Sequence, residues 1–311
     1  MTTVRVLAAG LVIVVTAQSQ AQQQAPMFRS SANAVAVDVA VRDRNRRAIT
    51  NLQPADFEVQ DKGVAQTVEN LSYGKLPIDV TIALDVSYSV TGLVLERLRR
   101  GVLQLMGDLG NQDRLKLVLF NQRVSRIVDF TGDVKEVERA MRNVTAGGST
   151  ALLDAVSVAL VSTSTPDRRH LVVFFTDGSD STSVTTPASL QTTARRARAT
   201  LTFVMPSTGT VTFAPLGASS ANATQIIRST TSTLRVDSIY DTLARDTGGS
   251  VVPVFPSTDL SAAFRQVLDQ FRTTYVLYFN AKGVEPGGYH ALEVKVRREG
   301  ATVQARRGYW Y

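Results

Sequence analysis

The chain has 311 residues, with 34 Lys and Arg against 27 Asp and Glu, two His and no Cys. The absence of Cys excludes disulfides, zinc ribbons, iron–sulfur clusters, thiol nucleophiles and a lipoprotein-type anchor. Two His, at 170 and 290, cannot furnish an HExxH site or a three-His zinc site, so any metal would be held mainly by oxygen. The length suits one large domain, alone or with a smaller companion, and a hydrophobic fraction of 44% is ordinary for a globular protein.

Arg5 is the only charge in residues 1–21, and the apolar run from Val6 to Val15 is too short to span a bilayer. Ser19-Gln20-Ala21 places small residues at the −3 and −1 positions of a signal-peptidase site. Residues 1–21 therefore read as a signal peptide, and the mature chain as exported, periplasmic or secreted. Losing Arg5 lowers the formal net charge from +7 to +6. Residues 22–33, rich in Gln, Ser and Ala, read as a flexible leader.

Val35, Val37, Val39 and Val41 then share one face of a half-buried strand. Phe57 and Val59 lead into an Asp61-Lys62-Gly63 hairpin turn, with Val64 to Tyr73 as the return strand. Residues 34–75 thus form an N-terminal β segment too small to bury a core alone. From Leu76 the pattern changes. Ile78 to Leu84 is an apolar strand, and Leu95, Leu98, Val102, Leu105 and Leu109 follow at helical spacing. Strands at 115–120 and 124–130, the latter at an edge, precede helices at 133–142 and 151–161. Leu171 to Phe175, Thr200 to Val204 and Val251 to Val254 are further strands. Helices at 187–198, 236–246 and 260–271 alternate with them. Strands buried on both faces, alternating with helices, predict an α/β fold with a doubly wound, mostly parallel sheet across residues 76–272.

Two stretches depart from that alternation. Residues 206–235 form a Ser/Thr-rich insertion that leaves the carboxyl edge of the sheet. Residues 273–311 return to β structure: Thr274 to Phe279, a Pro286-Gly287-Gly288 turn, the alternating Leu292, Val294 and Val296, then Thr302 to Tyr309. This C-terminal β segment is predicted to pack with residues 34–75 as a small β-sandwich, into which the α/β domain is inserted.

Three oxygen-rich elements fall on the carboxyl edge of the parallel sheet, where open α/β folds bind ligands. Asp85-Val86-Ser87-Tyr88-Ser89 ends the first strand. Gly147-Gly148-Ser149-Thr150 precedes the helix at Ala151, and Thr176-Asp177-Gly178 ends the strand at Phe175. Together they resemble the metal-ion-dependent adhesion site of the von Willebrand factor A family, over about residues 76–272. The resemblance implies that Ser87 and Ser89 ligate the ion through hydroxyls, with Thr150 as a third hydroxyl bound directly or through water. It implies that Asp85 and Asp177 hold coordinated waters and bond the serines, and that Gly147 and Gly148 let the Thr150 loop approach. Relatives usually carry Gly where this chain has Tyr88, a departure that bears on partner access. The flanks, among them Asp56-Phe57-Glu58-Val59, Asp177-Gly178-Ser179-Asp180, Thr247-Gly248-Gly249 and Arg306-Arg307-Gly308-Tyr309, resemble the exported von Willebrand A-related proteins abundant in Acidobacteria.

Mg²⁺ is small, demands octahedral oxygen coordination and keeps waters readily. Mn²⁺ and Ca²⁺ are the other candidates. Neutral hydroxyl ligands leave the ion much of its charge, and with it an affinity for an outside carboxylate. The expected function is therefore non-enzymatic cell adhesion or protein binding, through an Asp or Glu on a partner. Hydrolysis would want a general acid or base close to the substrate, and no His lies in these motifs. Phosphoryl transfer on Asp85 is the enzymatic alternative, but the second carboxylate that such chemistry wants two residues on is replaced by Ser87. The third reading is binding of a polyanion, envelope polysaccharide or lipid. It would need the clusters Arg97/Arg99/Arg100, Arg195/Arg196/Arg198, Arg297/Arg298 and Arg306/Arg307 to share one surface with stacking aromatics. Nucleic acid is not an expected partner.

Simpler readings attach to several neighbours. Asp154 sits in the first turn of its helix, where a carboxylate suits the dipole. Asp180 is expected as a solvated loop acid, His170 as a surface or edge residue, and His290 on an exposed strand face. Deleting residues 206–235 is expected to change partner choice and leave Mg²⁺ affinity nearly unchanged, as calorimetric titration of the truncated chain would check.

Overall fold

A computed structural model describes residues 34–74, 76–161, 165, 167–206, 239–255 and 259–311. The predicted signal peptide, the leader and residues 207–235 of the predicted insertion lie outside the described residues.

A six-stranded sheet forms the centre. Its strands are β5 (Ile78–Asp85), β6 (Arg114–Phe120), β7 (Val124–Thr131), β8 (Arg169–Phe175), β9 (Thr200–Pro206) and β10 (Val251–Val254), in the order β10-β9-β8-β5-β6-β7. All neighbours are parallel except β7, which runs antiparallel at one edge. β5 and β8 are buried at every position, so their sequences read as apolar runs rather than alternations. Period-two geometry divides their side chains between two layers. Val80, Ile82, Leu84, Leu171, Val173 and Phe175 meet helices α1 (Leu93–Asp108), α2 (Val134–Arg142) and α6 (Leu260–Arg272). Ala83, Val172 and Phe174 face α3 (Leu152–Val161), α4 (Pro187–Arg196) and α5 (Ile239–Thr247). This is the doubly wound α/β arrangement that the sequence pattern predicts.

The remaining strands are β1 (Ala34–Arg42), β2 (Phe57–Asp61), β3 (Val64–Gln66), β4 (Asn70–Tyr73), β11 (Tyr275–Asn280), β12 (Tyr289–Val296), β13 (Thr302–Ala305) and β14 (Gly308–Trp310). They build two four-stranded sheets, β13-β1-β11-β4 and β14-β12-β2-β3. Val37, Val39, Val41, Phe57, Val59, Leu277 and Phe279 share the core between them. Lys62 and Gly63, both at positive φ (48° and 83°), make the two-residue turn joining β2 to β3. Two expected strands are each broken in two. The 64–73 stretch pairs with β2 as far as Gln66, buries Val68 in the core, and then joins β11 in the other sheet. The 302–309 stretch likewise pairs with β1 and then, past Ala305, with β12. Each crossing closes the sandwich at a corner, which a continuous strand could not do.

Both histidines are placed otherwise than expected. His170 is buried in β8, where its Nε2 lies 2.8 Å from Thr81 Oγ1 and Phe130 packs edge-on against its ring. Burial lowers its pKa to about 4 against the opposing pull of Asp79, so it is neutral at physiological pH. His290 shares the face of Leu292 and Val294, pointing inward. It is fully buried, with Nδ1 2.9 Å from Asp61 Oδ1, and the Tyr309 hydroxyl donates to Asp61 Oδ2 at 2.6 Å.

Ion pairs join the two layers of architecture at the amino ends of β5 and β8. Buried Asp79 receives Arg114 at 2.8 Å and Arg168 at 2.6 Å. Arg169 reaches Asp38 of β1 at 2.6 Å, donates to Phe271 O at 2.9 Å and to Thr274 Oγ1, and lies 3.9 Å over the Phe271 ring. Burial pushes the Asp79 carboxyl up, but the two arginines outweigh it and hold the pKa below the usual carboxylate value. Asp79→Asn should cost about 3–5 kcal/mol in urea unfolding at pH 7, because two arginines lose their charge partner. A depressed carboxyl pKa contributes stability above the unfolded value of about 3.9, lost as pH falls through the lower folded value. The gap between wild type and variant should therefore close below pH 4.

Candidate metal centre

β5 ends on Asp85, whose side chain is fully buried. Its Oδ1 accepts a hydrogen bond from the Ser87 backbone N–H at 2.9 Å, and its Oδ2 accepts from the Thr176 hydroxyl at 3.0 Å. These bonds turn the chain out of the strand and set the Ser87 and Ser89 hydroxyls 3.1 Å apart. Ser87 is buried, whereas Ser89 is exposed. The loop before α3 is stitched to this turn: Gly147 N donates to Val86 O at 2.7 Å, and Tyr88 N to Gly148 O at 3.0 Å. Gly148 has φ +86°, a conformation that favours glycine, and the end of the Gln122 side chain lies over its Cα.

Thr150 is buried, with its backbone held by the segment after β8: Thr150 N donates to Ser181 Oγ at 3.1 Å, and Thr150 O accepts from Ser181 N at 2.8 Å. Asp177 is exposed and accepts from Ser179 N at 2.9 Å, a bond within its own turn rather than one to a serine of the β5 turn. Its charge nonetheless reaches Asp85. Burial, and then the Asp177 carboxylate, raise the Asp85 pKa against the bonds from Ser87 and Thr176. Among the described residues neither acid has a Lys or Arg within ion-pair distance.

The donor set suits a hard cation. Ligands at about 2.1 Å on adjacent vertices of an octahedron stand about 3.0 Å apart, close to the spacing of the two serine hydroxyls. A buried carboxylate beside a second acid, with no basic partner, is also an environment that a cation would relieve. The residues present therefore fit a divalent metal. Ser87, Ser89 and Thr150 would supply neutral oxygens, with Asp85 and Asp177 behind them. A bound ion would supply a positive charge open to an external oxygen.

Several contributors were not singled out from sequence. Thr176, fully buried, links Asp85 to the Asp177 turn through its hydroxyl, which also accepts from Gly178 N at 3.1 Å. Its place immediately before Asp177 is the signal that could have found it. Asn121 donates to Gly147 O at 2.7 Å, and its carbonyl accepts from Ala151 N at 2.8 Å. Tyr240 donates to Gly178 O at 2.8 Å. Burial, then Asp180 and Asp177, push its phenol up to about 12, so it remains a donor. Nothing in the sequence joined α5 or the β6–β7 turn to the site. Tyr88 is 74% exposed, with its ring on the Gly147 side of the turn.

Two acids have structural work. Asp180 is not simply solvated: its Oδ1 accepts from Leu152 N at 2.7 Å and Leu153 N at 3.3 Å, capping the first turn of α3 from a distant loop. Asp154, in that first turn, accepts from Thr185 N at 2.8 Å and Val184 N at 3.1 Å.

Residues 80–179 match the sequence model described as the von Willebrand factor type A domain, and this segment is such a domain. Inter-alpha-trypsin inhibitor heavy chain H4 of Sus scrofa is 25% identical over 136 residues, 40% of this chain and 15% of that protein. Its Homo sapiens counterpart is 25% identical over 135 residues, 39% and 14% of the two chains. The chain thus spans about 15% of the length of the curated relatives it matches. Among solved structures, an aerotolerance-related membrane protein of Bacteroides fragilis is similar at 15% identity and TM-score 0.45, over 62% of this chain and 98% of that one. The PilB minor pilin of Streptococcus sanguinis is similar at 12% identity and TM-score 0.45, over 64% and 62%.

Asp180→Ala should lower stability by about 1 kcal/mol through loss of the α3 cap. Urea midpoints should show the same loss in EDTA and in millimolar Mg²⁺, as expected of a cap and not of a cation ligand.

Proposed function

We propose that the chain is an exported adhesion module, in which the domain at residues 76–272 grips a carboxylate of a protein partner through Mg²⁺. The metal would be held by Ser87, Ser89 and Thr150, with Asp85 and Asp177 bonding its waters. The observation that carries this reading is the pair of serine hydroxyls 3.1 Å apart above a buried carboxylate that has no basic partner among the described residues. One further observation favours it. His170 and His290, the chain's two imidazoles, are each buried elsewhere and engaged with other residues. No helix among the described residues is long and apolar enough to cross a membrane.

The partner class follows from charge. An ion ligated by neutral hydroxyls keeps its appetite for an anion, and a carboxylate in the open position completes the coordination. Tyr88, projecting beside the turn, would meet the residues that flank that carboxylate.

Calorimetric titration of MgCl₂ into wild type should give a saturable heat, and titration into Asp85→Ala none. Mg²⁺ at about a hundredfold over its dissociation constant should stabilise wild type by about 2.7 kcal/mol, and the variant not at all. Equal heats in both proteins, or none in either, would overturn the reading.

A further inference from the structure

Two of the arginine clusters, more than a hundred residues apart in sequence, come together on the fold. Arg195 and Arg196 close α4, Arg198 follows, and Arg306 and Arg307 lie between β13 and β14. Arg306 donates to Ala197 O at 2.7 Å, which locks the two segments side by side. Arg195 and Arg307 share a single buried carboxylate, Asp246 of α5, at 3.3 and 3.8 Å. Burial lowers the pKa of the Arg306 guanidinium, and the charge of Arg198 adds to that against Asp38 and Asp246. Among the described residues, Asp246 is the one carboxylate within ion-pair distance of these five arginines. Arg196 and Arg198 are exposed and have no carboxylate within ion-pair distance among the described residues.

Aromatic rings are interleaved with these cations. Arg195 lies 4.7 Å over Tyr289, and Arg196 lies 4.2 Å over Trp310, which is 46% exposed on the edge strand β14. Cation–π contact with a ring leaves a planar guanidinium its donor fork for bidentate contact with a carboxylate, and Arg196 has no such partner among the described residues. The surface lies where α4 and α5 end, beside the amino ends of the strands, and so at the opposite edge of the sheet from Ser87 and Thr150.

We propose that the surface formed by Arg195, Arg196, Arg198, Arg307 and Trp310, locked together by Arg306, binds an acidic polysaccharide. Repeated carboxylates would pair with the unneutralised guanidiniums, and the C–H face of a sugar ring would stack on the exposed part of Trp310. A membrane surface is the less favoured occupant, because among the described residues the patch carries no exposed aliphatic side chain to insert alongside its charge. The binding is independent of the divalent metal.

The test measures binding of the full chain to immobilised polygalacturonate in EDTA, across a salt series. Arg196→Ser/Arg198→Ser should weaken binding about tenfold and flatten the salt dependence, since each lost cation releases fewer counterions. Trp310→Ala should weaken it about threefold or more with the salt slope unchanged. A charge-matched control on α2, Arg139→Ser/Arg142→Ser, should stay within about twofold of wild type. Equal losses in the control and the patch double variant would overturn the proposal in favour of diffuse attraction. Retention on phosphatidylglycerol vesicles without retention on polygalacturonate would overturn it in favour of a lipid surface. EDTA keeps the outcome separate from the metal reading.

Discussion

Charge pairing at the amino ends of β5 and β8 is the constraint on which the remainder of the molecule rests. Asp79 is buried and tolerable only because Arg114 and Arg168 reach it. Arg169 binds a β1 side chain, a carbonyl at the end of α6 and a hydroxyl just before β11. That one guanidinium ties the central sheet to a sandwich whose strands come from both ends of the described chain. Fixing this edge holds β5 and β8 in register, so that the loops leaving their opposite ends meet in a defined geometry.

The two edges of the sheet differ in electrostatic design. At the amino ends of β5 and β8, acids and bases compensate each other. At the carboxyl ends, Asp85 and Asp177 stand close without a basic partner among the described residues, and the neighbouring polar groups are hydroxyls and backbone amides. Buried Asp85 thus lies near the exposed Asp177, where backbone hydrogen bonds draw the loops together. Such an arrangement is costly in an apolar sheet end unless a cation answers it.

The alternation of apolar runs with helical spacing made the central sheet legible, because strands buried on both faces carry a continuous signal. The Asp85, Ser87 and Ser89 spacing was legible for the same local reason: one strand end holds all three. Interactions between distant loops were not. Asp180 caps a helix 28 residues earlier in the chain, and Tyr240 and Asn121 brace turns of other elements. The corners at Val68 and Ala305 were invisible because each half of the stretch is a plausible strand by itself. His290 could have been placed correctly, since it shares the parity of Leu292 and Val294. The convergence of Arg195, Arg196 and Arg198 with Arg306 and Arg307 required the tertiary fold.

The path from sandwich to central sheet has a mechanical consequence. Tyr73 at the end of β4 pairs with Tyr275 at the start of β11, their rings 4.8 Å apart. The two covalent connections to the α/β domain therefore leave the sandwich side by side from one end of adjacent strands. Tension applied through that domain pulls β4 and β11 lengthwise together. It is met by the β1–β11 ladder, registered from Ala34–Asn280 to Val39–Tyr275. Hydrogen bonds pulled along the strand direction share the force and must yield collectively, whereas a hairpin pulled apart from its open end would lose them one at a time.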